Sequence, residues 1–281
     1  MNSPLKLLLT VGGVLYIAIS SLDCVSTGAI DPQGYRHTDF GYAVRSLEPG
    51  SAQFLPPHWQ LDNFQIDRVS GQWEQKTGGH WKAVRRVDLN GDGVIDKSET
   101  NEEPAYDLHF VHEVNGGIIW VKAHPVRKDR GRLALDVVLD DYIDSLRGTG
   151  LFEQGDLFGL ETVVARKFTT FVPERKSTKV AGRPAVEAVI ELAETDRLEI
   201  DKSERSGIVR VVMIRFPFYV KASVTGPNES QVFDGKDGHR YVKRNALLVI
   251  GYYNTPRYFK ENVGDLDGLL TRVTLPSGSP P

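Results

Sequence analysis

Residues 247–273 read LLVIGYYNTPRYFKENVGDLDGLLTRV, and the change of rhythm inside that stretch decides the fold. Leu247–Tyr253 is a continuous apolar run of strand length. Thr255-Pro256 then opens a helix. Threonine suits the cap, and proline at the first helical position gives up only an amide that would be unpaired anyway. Phe259, Val263, Leu266, Leu270 and Val273 follow three or four residues apart, which lines them up along one face.

Outward from that unit, strand character recurs at Trp81–Val87, Tyr106–Val114, Ile118–Ala123, Val163–Val172, Val186–Leu192, Ile208–Phe216 and Tyr219–Val224. Asn115-Gly116-Gly117 supplies the positive-φ residues of a hairpin turn. A second helix is marked by Leu135, Val138, Leu139, Tyr142, Ile143 and Leu146 on one face, with Gly148 at its end. Many strands and two helices predict an α+β fold, a mainly antiparallel β-sheet covered by two or more helices. Phe54-Leu55-Pro56-Pro57-His58-Trp59 opens a single domain expected over 54–275. Residues 25–53, Gly-rich and polar, are expected to be a tether or lead-in, and 276–281 a disordered tail.

Residues 88–99 read Asp-Leu-Asn-Gly-Asp-Gly-Val-Ile-Asp-Lys-Ser-Glu and carry the chain's most specific chemistry. Asp88, Asn90, Asp92 and Asp96 offer side-chain oxygens, Val94 a backbone carbonyl, and Glu99 a closing carboxylate. Gly93 stands where the loop turns sharply, and Ile95 is its apolar pin. Ca²⁺ takes six to eight oxygen ligands, and this spacing meets every position of the EF-hand loop pattern. An Asn/Asp/Gly-rich turn would use some of these residues too, but it needs neither Glu99 nor Ile95. The flanks are not helical: Gly78-Gly79 breaks a helix upstream, and Thr100-Asn101-Glu102-Glu103-Pro104 makes a poor one downstream. The expectation is a solitary calcium loop set into a β-hairpin, without a partner loop.

The chain begins with Lys6, an uncharged apolar run Leu7–Ile19 and a short polar exit before Cys24, its only cysteine. That is the layout of a secretory signal, 1–24, and resembles a lipoprotein signal with Cys24 as the lipidated residue. Asp23 before the cysteine departs from the small residue such signals favour. Thr27-Gly28-Ala29 offers cleavage as an alternative, and retention as an uncleaved anchor is a third. Each places the rest outside the cytoplasm, in the periplasm or cell envelope. One cysteine forms no internal disulfide, so a core of roughly 250 residues must hold the fold. The net charge of −3, with both signs interspersed, argues against a nucleic-acid partner. The basic run Arg127–Arg132 reads as a solvated loop.

Catalytic candidates are weak. Asp107, His109, His112 and Glu113 cluster in sequence, but on a strand His109 and His112 point to opposite faces, one packed and one toward solvent. Asp136, Asp140, Asp141 and Asp144 read as the exposed face of an amphipathic helix. There is no Gly-x-Ser-x-Gly nucleophile motif and no phosphate-cradling loop.

Three short motifs resemble PsbP/Mog1-like domains. Leu55-Pro56-Pro57-His58-Trp59 is similar to their opening, and Lys179–Ala188 to a hairpin of theirs. Leu247–Tyr253 with Tyr258-Phe259, Asp265-Leu266 and Leu269-Leu270 is similar to their closing strand and helix. The resemblance spans about residues 54–275, with the calcium loop as an insertion. It implies an exported accessory protein without catalysis.

The function expected is therefore that of a non-catalytic envelope protein, monomeric, binding one Ca²⁺ that stiffens a hairpin or a surface for another envelope protein. The alternative is a carrier of small apolar ligands, or a hydrolase, with a pocket between sheet and helices lined by Trp59, Trp120, Phe168 and Tyr253.

Overall fold

The computed structural model describes residues 28–76, 81–86, 100–126, 133–146, 168–194, 207–221 and 232–280. Its frame is an antiparallel sheet of eight strands. Along the path run β11 (Phe168–Val180), β12 (Arg183–Glu194), β13 (Gly207–Lys221), β15 (Arg240–Asn254), β10 (Ile118–Pro125), β9 (Leu108–His112) and β4 (Trp59–Leu61), and β14 (Val232–Asp234) pairs with β15. The centre is the long pairing of β13 with β15, from Ile208↔Asn254 to Lys221↔Tyr241. Among the described residues two helices flank the sheet, α1 (Leu135–Leu146) and α2 (Pro256–Leu270). The architecture is α+β, mainly antiparallel.

Both faces of the sheet are buried, which is why its central strands read as near-continuous apolar runs. On one face Ile119, Val121, Val212, Ile214, Leu248, Ile250 and Tyr252 meet Phe259, Leu266 and Leu269 of α2. On the other, Trp120, Val186, Ala188, Ile190, Val211, Met213 and Val249 meet Val138, Leu139, Tyr142, Ile143 and Leu146 of α1. Alternate residues of one strand thus serve opposite layers. Gly251 lies directly under the indole of Trp120, where a Cβ would collide with the ring. The one glycine of the 247–253 run is there to seat a buried tryptophan.

The structure departs from the sequence expectations in four places. The stretch 25–53 is not a tether once it reaches Gly28. β1 (Gly28–Asp31), β2 (Gly34–His37) and β3 (Ala43–Arg45) form a small antiparallel sheet, and Tyr35, His37, Tyr42 and Val44 are buried beneath it. Strands of three or four residues fall below the length at which a period of two is readable. Folded structure is thus present from Gly28 onward, ahead of Phe54. Helix α2 stops at Leu270, so Val273 does not extend its stripe; it enters β16 (Val273–Thr274) and pairs with Val44 of β3. The chain after it is not a free tail, because Arg183 donates to the carbonyl of Pro276 at 3.0 Å and Tyr219 to that of Gly278. Finally, the strands expected at 208–216 and 219–224 are one strand as far as Lys221, the last described residue there. Pro217 lies past Ile214, the last β13 residue paired with β12, so the strand has become an edge there and a missing amide is tolerated.

Candidate functional site

The loop 88–99, with Asp88, Asn90, Asp92, Val94, Asp96 and Glu99, lies outside the described residues, as does Cys24. Its two flanks are described. β7 (Lys82–Arg86) pairs antiparallel with β8 (Thr100–Pro104), in register from Lys82↔Pro104 to Arg86↔Thr100. The segment between Arg86 and Thr100 is therefore the connection of a β-hairpin, and its two ends are held side by side.

That hairpin is tied tightly to the core where it enters and leaves. The amide of Ala105 donates to the carbonyl of Trp81 at 2.8 Å. The carbonyl of Tyr106 accepts from Gln75 at 2.9 Å and from Asn63 at 3.2 Å. Gln75 belongs to β6 (Trp73–Gln75), which pairs with β5 (Phe64–Ile66), so a second hairpin braces the first. The carbonyl of Pro104, last residue of β8, accepts from the ammonium of Lys122 at 2.6 Å.

Lys122 leads into a buried charge cluster. Asp107 is fully buried, and Lys122 is 4% and His37 2% exposed. Oδ2 of Asp107 accepts from the Tyr42 hydroxyl at 2.6 Å and the Ala123 amide at 2.7 Å. Oδ1 lies 3.6 Å from the Lys122 ammonium and 3.8 Å from Nε2 of His37. Burial, and next the Asp107 charge, holds the Tyr42 phenol well above the usual tyrosine range, and the Tyr35 phenol likewise. Both stay neutral. A carboxylate with this many donors and no exposure is a device for joining strands, with no opening through which it could reach a substrate. Of its members only Asp107 stands out in the sequence as a candidate. The available signal for Lys122 was a lone charge in the apolar run Ile118–Ala123.

His109 and His112 do point to opposite faces, but both are buried, 6% and 7% exposed, so neither is the solvent-facing histidine expected. His109 packs between Trp81 and Tyr106, with Nδ1 3.6 Å from Asp62. His112 sits edge-on to Trp59, near Asn262 of α2. Glu113 is exposed and bonds Gln60. On α1, Asp136 and Asp140 pair with Arg175 of β11, an ordinary helix-to-strand tie rather than a dyad. Among the described residues no group of three or more His, Cys, Asp or Glu is placed to hold a metal.

The expected pocket does not form as drawn. Trp59 packs on the α2 face of the sheet, and its indole donates to Asp265 of α2 at 2.9 Å. Trp120 is fully buried on the α1 face, and Tyr253 packs on that side too. Side chains on opposite faces of one sheet cannot line a common cavity. The side chain of Phe168 lies outside the described residues. The same Trp59–Asp265 bond joins two of the three motifs that carried the family resemblance, which gives those residues a packing role.

No helix among the described residues is long and apolar enough to cross a membrane. No family model matches the chain, and no curated protein matches it either. Among solved structures it is similar to the solution structure of cyanobacterial PsbP (CyanoP) from Synechocystis sp. PCC 6803, covering 71% of this chain and 95% of that one. The identity is 10% and the TM-score 0.33, a likeness that carries no argument about function or family membership.

Proposed function

We infer that this chain is a non-catalytic, exported envelope protein that binds one Ca²⁺ through residues 88–99, the ion stiffening the β7–β8 hairpin or a partner surface beside it. The observation that carries the reading is the pairing Arg86↔Thr100, which brings the ends of a complete EF-hand-type ligand sequence together on two strands. Asp88, Asn90, Asp92, the carbonyl of Val94, Asp96 and Glu99 would supply the oxygens. Strands replace the usual flanking helices and no partner loop accompanies this one, so the affinity belongs to the extracellular class, about 10⁻⁴–10⁻³ M. Mg²⁺, which demands tight octahedral geometry, substitutes poorly for an ion held by a bidentate glutamate. The amino-terminal signal with Cys24 supports export and a lipid anchor.

Titration calorimetry on the protein tests the site, with Asp88→Ala/Glu99→Gln beside it. One calcium per chain in the wild type and none in the double variant is the expected result. Equal binding by both would leave residues 88–99 as a plain turn. Intact mass of the mature protein tests the anchor: a start at Ile30 without acyl mass would exclude lipid on Cys24.

A further inference from the structure

We propose that His37 is a pH-sensitive latch that holds the amino-terminal sheet against the core. The ring is buried at the end of β2, between Phe40 at 4.6 Å and Tyr42 at 5.4 Å. Its Nδ1 faces two donors, the backbone N–H of Asp39 at 3.2 Å and that of Phe40 at 3.4 Å. A nitrogen that accepts from two amides has no room for a hydrogen of its own. The ring's single proton therefore sits on Nε2, 3.8 Å from Oδ1 of Asp107.

A second proton would have to land on Nδ1, against both amides. Those amides belong to the turn that carries β2 into β3, closed by His37 N–H to the Tyr42 carbonyl at 2.9 Å and Gly41 N–H to the His37 carbonyl at 3.0 Å. The added proton would meet two opposed charges in this cluster. Asp107 attracts it, but Lys122 already stands 3.6 Å from the same carboxylate oxygen and competes for that charge. Tyr35 and Tyr42 are neutral, and Asp39 in the turn itself is exposed and screened. Proton uptake is thus coupled to opening of the turn and release of His37 and Tyr42 from Asp107. Only the open state binds the extra proton, so closure is complete above the ordinary histidine range and weakens as pH falls below about 6.5.

The size of the effect follows from one such histidine. Between about pH 7.5 and about pH 5.5 the open population rises roughly tenfold. Hydrogen exchange of the full chain, corrected for intrinsic rates, reads this directly. The wild type should show that rise across residues 34–45 with β13 and β15 unchanged. H37N, whose amide oxygen can take the place of Nδ1 and cannot be protonated, should show none. An equal acid response in H37N, or no response in the wild type, overturns the proposal. Should H37N fail to fold, imidazole nitrogen NMR of the wild type decides. A bare Nδ1 at neutral pH, with the second proton gained only as the turn opens, supports the latch; a doubly protonated ring inside a protected turn refutes it.

Discussion

Two of the ion-pair clusters among the described residues differ in how much water they see. The Asp107 cluster joins β2 and β10 at the residue that leads into β9, with every charged member nearly sealed: Asp107 0%, Lys122 4% and His37 2% exposed. The other ties α2 to β12 and β13. There Arg210 donates to Glu187 at 2.8 Å and to Asp267 at 2.6 Å, and Lys176 reaches Glu187 at 3.1 Å. Its inner members are buried, but Asp267 is 57% and Lys176 49% exposed on their side chains. Burial acts to lower the Arg210 guanidinium, yet its bonds to Asp267 and Glu187 outweigh that and hold it above the usual range. The same kind of contact therefore has two values: in the sealed cluster losing one partner strands a charge without water, and in the open one water takes the partner's place.

Asp107→Ala is the sharpest way to break that contrast. It takes the carboxylate away from the buried Lys122 ammonium and removes the acceptor of Tyr42 and Ala123. A loss of about 3–5 kcal/mol is expected in urea unfolding. Arg210→Met comes next. Glu187 keeps Lys176, so the cost should fall to about 1–3 kcal/mol, most of it the loss of buried bonds to a charged group. Asp267→Asn should change stability by no more than about 1 kcal/mol, and the change should shrink as salt is raised. If the three variants cost the same, burial is not what separates the clusters.

The comparison also shows what the sequence could and could not reveal. The unit Leu247–Leu270 was legible, because its strand and helix are long, apolar in the right period and separated by a proline at the first helical position. The hairpin nature of 82–104 was legible too, from glycines and proline that exclude helices. The Asp107 cluster was not. Its partners sit at positions 37, 42 and 122, so nothing local announces them, and two of the three fall in strands or turns too short to show a period. Half of the cluster, His37 and Tyr42, lies within the polar stretch 25–53, where no strand period is visible. The edge change at Pro217 is of the same kind: whether proline ends a strand depends on where a neighbouring strand stops, which sequence spacing does not encode.

The central claim is that residues 88–99 bind Ca²⁺ on the β7–β8 hairpin, and thermal unfolding with calcium against chelator tests it most directly. An ion bound only by the folded chain, at a hundred times its dissociation constant, adds about 2.7 kcal/mol. For a domain of this size that raises Tm by roughly 5–10 °C. The account predicts such a rise with Ca²⁺, little or none with Mg²⁺, and its loss in Asp88→Ala/Glu99→Gln. A Tm indifferent to calcium and chelator alike, at saturating concentration, would contradict it.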